Sequence, residues 1–390
     1  MASAIAAPLT QLHSMCPMDI DMSAVPSSVD AGLEVIGSPT VGVLDASNPT
    51  ERSVWLQIWE RWPEREVWAH PEYVSVSGRP GERAICVAME DSCGGVLFPL
   101  LLRSLEDQPW AKDGNRCFDI TSCYGFGGPF SWGTPDVTTF WDRFDQWANA
   151  QNVVSLFTRL PLFENQSIPF RGEIIPKGPS VVIPLEGGEE SILKNYERSV
   201  RGVLRQSARN GVTVVVDPDS DRLEEFLAVY YSTMERRAAS SDYFFQRRFF
   251  TLLQERLPGH VLFFHALHED QVVSTELQLI SQTHSYAFLG GTTERGLSQR
   301  ANTALRHATN VWGSENGKSH MVFGGSHREN DGLLNYKKRF APQSLKMFRV
   351  GTRVFIPDLY MQLIEQRQVW AAEQGQLWAP IDGFFPAYRG

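Results

Sequence analysis

The sequence predicts a mixed α/β protein made of two similar halves, and three observations support this fold class. The chain has 390 residues, more than one hydrophobic core usually organises, which favours two domains of about 150 residues each. Segments with helical and strand periodicity alternate along it. Their order in residues 188–356 also occurs, in degenerate form, in residues 41–187. We therefore expect a flexible leader at 1–40, two domains at 41–187 and 188–356, and a C-terminal extension at 357–390.

Composition sets the compartment and excludes some classes of protein. Hydrophobic residues make up 42% of the chain and charged residues 21%, as in an ordinary globular protein. The five cysteines are odd in number and lack zinc-site spacing, so we expect reduced thiols, no metal site and a cytoplasmic location. No apolar run approaches the roughly 18 residues of a membrane span, and the N-terminus lacks signal-peptide features. A net charge of −9 argues against a general nucleic-acid coat protein but leaves room for a local basic groove. We expect a monomer without stable membrane insertion.

The first half begins with a helix and continues into strands. Apolar residues recur at a helical period in residues 51–62, and two strand-like runs at 83–89 and 95–102 flank a polar turn. A second helix at 138–149 leads into a β-rich run at 153–160.

The second half has better-defined elements. A helix at 191–210 ends at Gly211, whose lack of a side chain suits a helix C-terminus. The following elements are strand 212–216, helices 221–237 and 244–257, strands 261–267, 272–280 and 286–289, helix 302–316 and a final short strand 321–324. Helix, strand, two helices, a three-strand meander, helix and strand is the order of an N-acetyltransferase-like fold. The sequence thus predicts two tandem GNAT-like acyltransferase domains, with mixed sheets flanked by helices.

Four segments resemble a known family. They are AHPEYVSV at 69–76, YGFGGPF at 124–130, LKNYERSVRGVLRQSARNGVTV at 193–214 and FGGSHRENDGLLNYKKRF at 323–340. Together they resemble the FemAB group, whose best-known members carry tandem acetyltransferase-like domains. Those members take an amino acid from aminoacyl-tRNA and attach it to an amine of a peptidoglycan precursor. The resemblance implies the same class of reaction here. This sequence differs from some members in that it has no long heptad insertion like their coiled-coil arm.

A row of arginines in the third segment is a candidate phosphate site. Arg198, Arg201, Arg205 and Arg209 follow spacings of three, four and four residues, so on a helix they form one cationic stripe. A solvated helix face would show the same pattern. Because guanidinium groups suit phosphate and the substrates of the family carry phosphates, we expect the stripe to bind the donor.

The fourth segment contains the candidate catalytic cation. Gly324 and Gly325 allow a ligand to approach the backbone closely. The resemblance implies that Lys337, in a K-x-x-F setting with Phe340, stabilises charge at the reacting carbonyl. A fixed cation at that oxygen can lower the barrier by about 3 kcal/mol. Lys338 and Arg339 beside it are expected to bind phosphates. In the alternative interpretation, Lys337 and Lys338 are only solubilising surface charges.

Polar side chains elsewhere in the second half are candidates for the substrate groove. Tyr231 and Arg236 are expected to position the acceptor, and Tyr243 lies at the same junction of two helices. Asn302 is expected to cap its helix and secondarily to contact a ligand. His327 is a possible base, but a lone histidine in a loop is more often a surface residue.

One missing motif bears on the donor. Acetyl-CoA-dependent enzymes bind pyrophosphate with a [QR]-x-x-G-x-[GA] loop before a helix, and residues 290–302 lack that spacing. We therefore expect an aminoacyl-tRNA-dependent aminoacyltransferase that needs no cofactor, recognises the acceptor end of a charged tRNA and acts on a peptidoglycan precursor or a small natural-product amine. An acyl-CoA or acyl-carrier N-acyltransferase is the first alternative. A non-catalytic protein that binds a small molecule is the second.

Overall fold

The computed structural model describes residues 40–111, 116–325 and 332–390. Its strands are β1 (Thr40–Asp45), β2 (Glu82–Glu90), β3 (Gly94–Ser104), β4 (Phe118–Thr121), β5 (Phe130–Gly133), β6 (Val153–Arg159), β7 (Glu173–Pro184), β8 (Thr213–Asp217), β9 (Val261–His268), β10 (Gln271–Ile280), β11 (His284–Thr292), β12 (His320–Gly324) and β13 (Leu345–Val354). Its helices are α1 (Pro49–Arg61), α2 (Pro71–Ser77), α3 (Val137–Ala150), α4 (Gly188–Asn195), α5 (Arg198–Arg209), α6 (Leu223–Arg236), α7 (Arg247–Arg256), α8 (Glu294–Ser298), α9 (Ala301–Glu315), α10 (Gly332–Lys338) and α11 (Pro357–Glu373).

Local sequence explains where several of these elements begin. The Asn48 side chain accepts hydrogen bonds from the backbone N–H groups of Thr50 and Glu51, and Pro49 occupies the first position of α1. Asp136 caps α3 in the same way through the Thr139 N–H. Among the described residues, no helix has the length and apolar character needed to cross a bilayer.

The two halves of the chain form one sheet, and their strands pair in the same order, each counted from its own edge of the sheet toward the centre. From one edge, β1, β2, β3 and β4 pair antiparallel in turn, and β4 then pairs parallel with β6. From the other edge, β8, β9, β10 and β11 pair antiparallel, and β11 pairs parallel with β12. Two helices follow each of the strands β1 and β8. One helix directly precedes each of the strands β6 and β12, namely α3 before β6 and α9 before β12. The predicted fold class is confirmed, whereas the exact domain boundaries stay a prediction.

Two exchanged strands join the halves at the centre. Strand β7 follows β6 in the chain but pairs with β12, and β13 follows β12 but pairs with β6. The two central strands also pair with each other, so the sheet is continuous. Neither β7 nor β13 was among the strands predicted from the sequence. Because β13 follows β12, the predicted strand at 321–324 is not the last one.

Side-chain alternation places separate cores on the two faces of the sheet. Phe263 and Leu277 belong to a large cluster that also contains Trp55 of α1 and Phe226 of α6, so this face is shared by both halves. Leu262 and Phe264, the strand neighbours of Phe263, pack on the opposite face, where α9 contributes Leu305. We call these the α6 face and the α9 face. On the α9 face, helices α4, α5 and α10 surround a further cluster with strands β7 and β12.

The predicted helix at 191–210 is wrong as a single element. The structure divides it into α4 and α5 at Tyr196, whose backbone is extended. The Tyr196 ring is buried, and its hydroxyl accepts a hydrogen bond from Asn310 Nδ2 at 2.6 Å. Burial of this ring against the core fixes the break, which helix periodicity does not reveal.

The C-terminal extension docks on the first half. Tyr388 is fully buried, and its hydroxyl lies 2.7 Å from Ser155 Oγ. Arg389 Nε donates to the buried Asp119 carboxylate at 2.6 Å. The predicted leader lies outside the described residues except for Thr40, the first residue of β1.

Candidate functional site

Three of the predicted site residues meet at the carboxyl end of β12. Lys337 on α10 is buried, with 9% of its surface exposed, and its Nζ donates to the Gly325 carbonyl at 3.0 Å. Gly324 has a φ of +71°, which a residue with a side chain rarely adopts, and a Cβ there would lie 3.9 Å from Lys337 Nζ. A Cβ on Gly325 would come within 2.7 Å of the Pro179 carbonyl. The interpretation of Lys337 as a surface lysine is therefore wrong, since the residue is buried and its Nζ is bonded to the backbone.

The basic stripe on α5 lies beside this cluster. The Glu197 N–H, just before α5, donates to the Arg339 carbonyl at 2.9 Å, so the helix starts next to the end of α10. Arg198, Arg205 and Arg209 are exposed, and no ion pair within the described residues involves them. Lys338 is partly buried and Arg339 exposed. The two predicted basic groups are thus neighbours in the fold.

Arg201 differs from the other three arginines of the stripe. It is partly buried, and its Nη1 donates to the carbonyls of Leu193 at 3.0 Å and Tyr196 at 2.6 Å. These carbonyls end α4, so the guanidinium caps that helix. Arg201 therefore has a structural role, because its guanidinium group holds the end of α4 within the second half of the chain.

The residues expected to position the acceptor lie at the connection between α6 and α7. Tyr231 Oη donates to the Phe245 carbonyl at 2.8 Å, and Arg236 Nη2 donates to the Thr292 carbonyl at 2.7 Å. The Tyr243 carbonyl accepts a hydrogen bond from Tyr230 Oη. Burial raises the pKa of both Tyr231 and Tyr243, so neither phenol acts as a base near neutral pH.

The sheet separates this acceptor group from the lysine. Tyr231 packs against the cluster on the α6 face, whereas Leu334 and Tyr336, neighbours of Lys337 on α10, pack in the cluster on the α9 face. A substrate that touched both groups would have to pass the end of the sheet.

Asn302 does not cap its helix, contrary to expectation. Arg300 occupies the capping position with a φ of +64°, and α9 starts at Ala301. Asn302 is therefore the second helical residue. Its neighbour Thr303 has Oγ1 at 3.4 Å from Tyr336 Oη, which places the start of α9 near α10.

A buried ion pair that the sequence analysis missed supports the end of β12. Glu276 on β10 is 2% exposed, pairs with Arg306 of α9 and accepts from Gln278 Nε2 at 2.9 Å. The Arg306 guanidinium carbon lies 4.8 Å from the ring centroid of Phe323, the residue before Gly324. Because Glu276 is paired with Arg306 and bonded to Gln278, it positions neighbouring groups. An acidic residue in the middle of the apolar strand β10 was the available signal.

The turn before α9 is closed by its own hydrogen bonds. Helix α8 fills it, and Thr293 Oγ1 accepts from the Gly296 N–H at 3.0 Å. Arg295 is paired with Glu269. In the part of the chain that the structure describes, no group of three or more His, Cys, Asp or Glu side chains is placed to hold a metal ion. His327 lies outside the described residues.

Comparison with known proteins agrees with this architecture. Residues 194–338 match the family described as Acetyltransferase (GNAT) domain. The crystal structure of FemX is similar over 80% of this chain and 98% of that chain, with 14% identity and a TM-score of 0.61. The structure of L-PGS from Bacillus licheniformis is similar over 84% and 98% of the two chains, with 14% identity and a TM-score of 0.47. A tandem GNAT protein from the clavulanic acid biosynthesis pathway is similar over 81% and 99%, with 10% identity and a TM-score of 0.44.

No curated protein matches the sequence. At these identities the likeness to FemX concerns the fold. The chain therefore has a tandem GNAT-type fold like that of FemX, and its residues 194–338 match the GNAT acetyltransferase model, as the resemblance to FemAB-like proteins predicted.

Proposed function

We propose that this protein is an aminoacyltransferase that moves an amino acid from a charged tRNA to an amine acceptor and forms an amide. The observation that carries the proposal is the buried Lys337 ammonium group at the end of β12, beside two glycines. Gly324 leaves space beside the Lys337 ammonium group, which provides a fixed positive charge for a carbonyl group bound there.

The reaction needs no covalent enzyme intermediate. The acceptor amine attacks the ester carbonyl of the donor, so that a C–N bond forms and the carbonyl oxygen becomes negative. The C–O bond to the ribose then breaks, the ribose oxygen takes a proton, and the former amine loses one. Lys337 stabilises the negative oxygen, and its burial strengthens that interaction because little water screens it.

The exposed arginines provide the donor surface. Arg198 begins α5 next to Arg339 and Lys338 at the end of α10, and Arg205 and Arg209 continue the basic surface along α5. Five cations at one edge suit the few phosphates near the acceptor end of a tRNA. An acidic protein with so limited a basic surface is expected to bind tRNA with a shallow salt dependence, of order three to five released counterions.

The acceptor is a cell-wall precursor or a small amine-bearing metabolite. Tyr231, Arg236 and Tyr243 at the connection between α6 and α7 are the residues that we propose to line its path. We propose that the protein acts in the cytoplasm as a monomer, where charged tRNA is present.

An acyl-CoA or acyl-carrier donor is the second candidate, because residues 194–338 match an acetyltransferase domain. The turn before α9, where the acetyl-CoA enzymes place their pyrophosphate loop, favours the tRNA donor here. Helix α8 fills this turn, and Thr293 accepts the Gly296 N–H, which is then no longer free for a phosphate.

The test compares donors directly. Purified protein is mixed with a panel of amines, including a nucleotide-linked cell-wall peptide, and with either a charged tRNA pool or acetyl-CoA, and amide products are measured by mass spectrometry. The proposal expects product with charged tRNA only, and its loss when ribonuclease is added first. Amide formation from acetyl-CoA alone, or transfer that survives ribonuclease, would replace the tRNA donor by the acyl-CoA alternative.

A further inference from the structure

Arg159 ends the strand β6 in the first half and holds its guanidinium group against the backbone. Its Nη1 donates to the carbonyls of Cys123 at 2.9 Å and Ser122 at 3.3 Å. No hydrogen bond within the described residues involves its Nε or Nη2. One edge of the guanidinium is therefore fixed, and two donors are left on the other side.

The charge of Arg159 has no acidic partner among the residues that the structure describes. No carboxylate of the described residues lies within ion-pair distance, although most other partly buried arginines, such as Arg103 and Arg353, have one. Burial lowers the pKa of Arg159, with tyrosine and cysteine side chains as its titratable neighbours. A guanidinium group stays protonated in proteins, so this is a partly desolvated cation for which the described part of the chain provides no counter-charge.

Two aromatic rings of the first half, Phe157 and Tyr124, lie over this cation, and rings of the second half pack around Tyr124. The Tyr124 ring centroid lies 6.0 Å from the Arg159 guanidinium carbon. The same ring lies 6.3 Å from Tyr243, 6.1 Å from Phe245 and 5.7 Å from Phe288, all in the second half. Tyr124 is 36% exposed, so the ring is accessible to a ligand.

Two of the four family-like segments, at 69–76 and 124–130, hold the loop that carries Tyr124 in place. Gly125 has a φ of +101°, and a Cβ there would come within 2.3 Å of the Trp68 ring. A Cβ on Gly127 would come within 2.7 Å of the Arg159 carbonyl. The Tyr73 hydroxyl, from the segment at 69–76, donates to the Tyr124 carbonyl at 2.6 Å. The glycines and the tyrosine thus fix the loop that carries Tyr124 against Arg159.

We infer that Arg159 binds an acidic group of the acceptor, a carboxylate or a phosphate, while an adjacent part of the same molecule stacks on Tyr124. The inference rests on the proposed function for the identity of the ligand as an acceptor. The free Nε and Nη2 are the pair of guanidinium nitrogens that binds two oxygens at once, as carboxylate and phosphate groups offer. Arg159 is distinct from the donor cations, which lie on α5 and after α10.

The experiment uses small probes that carry an acid on an aromatic ring. Binding of benzoate, phenyl phosphate and neutral benzamide to the full-length protein is measured by ligand-detected NMR, without donor or acceptor amine. We expect benzoate or phenyl phosphate to bind at least tenfold more tightly than benzamide. Arg159→Gln should remove that preference, whereas Arg171→Gln, which changes an arginine paired with Asp142 and Asp145, should retain it.

Each outcome has one meaning for the inference. A preference for benzoate identifies a carboxylate site and a preference for phenyl phosphate a phosphate site. Equal binding of all three probes to the wild type overturns the inference, and this comparison does not depend on any variant folding. An unchanged preference in folded Arg159→Gln also overturns it. If binding depends on Arg159 but charged tRNA supports no transfer, the proposed function alone fails.

Discussion

Replacement of Lys337 by methionine is expected to lower kcat about a hundredfold. Lys337 is a buried residue, and its Nζ is held 3.0 Å from the Gly325 carbonyl, so the charge is fixed before the substrate arrives. Removal of one fixed donor at a developing oxyanion costs about 3 kcal/mol. Since each 1.36 kcal/mol changes a rate tenfold, this corresponds to a factor of roughly 100 to 200.

The same substitution also affects stability, because Lys337 is not a surface residue. Methionine has a similar length and suits the apolar cluster around Leu334 and Phe340. Loss of the hydrogen bond to the Gly325 carbonyl is expected to lower the free energy of unfolding by about 1 to 2 kcal/mol. The variant should therefore fold, with a slightly lower denaturant midpoint.

Steady-state kinetics with charged tRNA as donor separate the two effects. If Lys337 acts only in the transition state, kcat and kcat/KM fall by the same factor. Lys194→Met is the matched control, because Lys194 is exposed and paired with Glu190, and its turnover should stay at the wild-type level. A folded Lys337→Met enzyme with wild-type turnover would remove Lys337 from the mechanism.

Three further predictions follow from the contacts of individual side chains. Arg205→Ala with Arg209→Ala should raise the KM of charged tRNA severalfold without a change in unfolding midpoint, and an unchanged KM would exclude the α5 surface from donor binding. Arg201→Ala should instead lower the free energy of unfolding by about 1 to 2 kcal/mol, measured in urea, because α4 loses its two carbonyl bonds. Burial, with a smaller contribution from His260, lowers the pKa of His70 to about 3. In the unfolded chain, the pKa of His70 is near 6.5, so below that pH the unfolded state binds a proton that the folded state does not bind. Stability present above pH 6.5 is therefore lost as the pH falls toward 3. Between pH 7 and pH 5 this amounts to about 2 kcal/mol, which should be absent in His70→Asn; an equal loss in both proteins would refute the assignment.

The elements of the second half were predictable because their patterns are local. Strands β9 and β10 show apolar runs around a polar turn, and the structure places them at Val261–His268 and Gln271–Ile280, within one residue of the prediction. Strands β7 and β13 were not predicted. The sequence of β7 contains Pro176, Gly178 and Pro179, which argue against a strand, and its pairing depends on the exchange between halves.

The residues of the candidate site were likewise predictable where they lie close together in the sequence. Lys337 and the two glycines lie within 14 residues of one another, so one family-like segment indicated all three. Arg159 was not found, because its site is assembled from segments around Tyr73 and Tyr124 that are distant in sequence from β6 and meet it only in the fold. The role of Arg201 was likewise hidden, since its spacing matches the exposed arginines and only the break at Tyr196 explains its burial.

The exchanged central strands also constrain the size of the acceptor. Strands β6 and β12 run in opposite directions on either side of β13 and β7, so the ends at Arg159 and Gly324 approach the central pair from opposite sides. Three strand spacings separate them laterally, about 14 Å. Along β7, the position aligned with Arg159 is Ile175 and that aligned with Gly324 is Val181, about 20 Å apart.

The two sites are therefore about 25 Å apart at the level of the strands, by the same spacings. An acceptor that places an acidic group on Arg159 and its amine near Lys337 must be extended, as a nucleotide-linked peptide is and a small metabolite is not. Arg159→Gln should then raise the KM of a long acidic acceptor at least tenfold and leave that of a short amine unchanged. Equal effects on both would mean that Arg159 does not act through a distant acidic group of the acceptor, and the argument for an extended acceptor would fail.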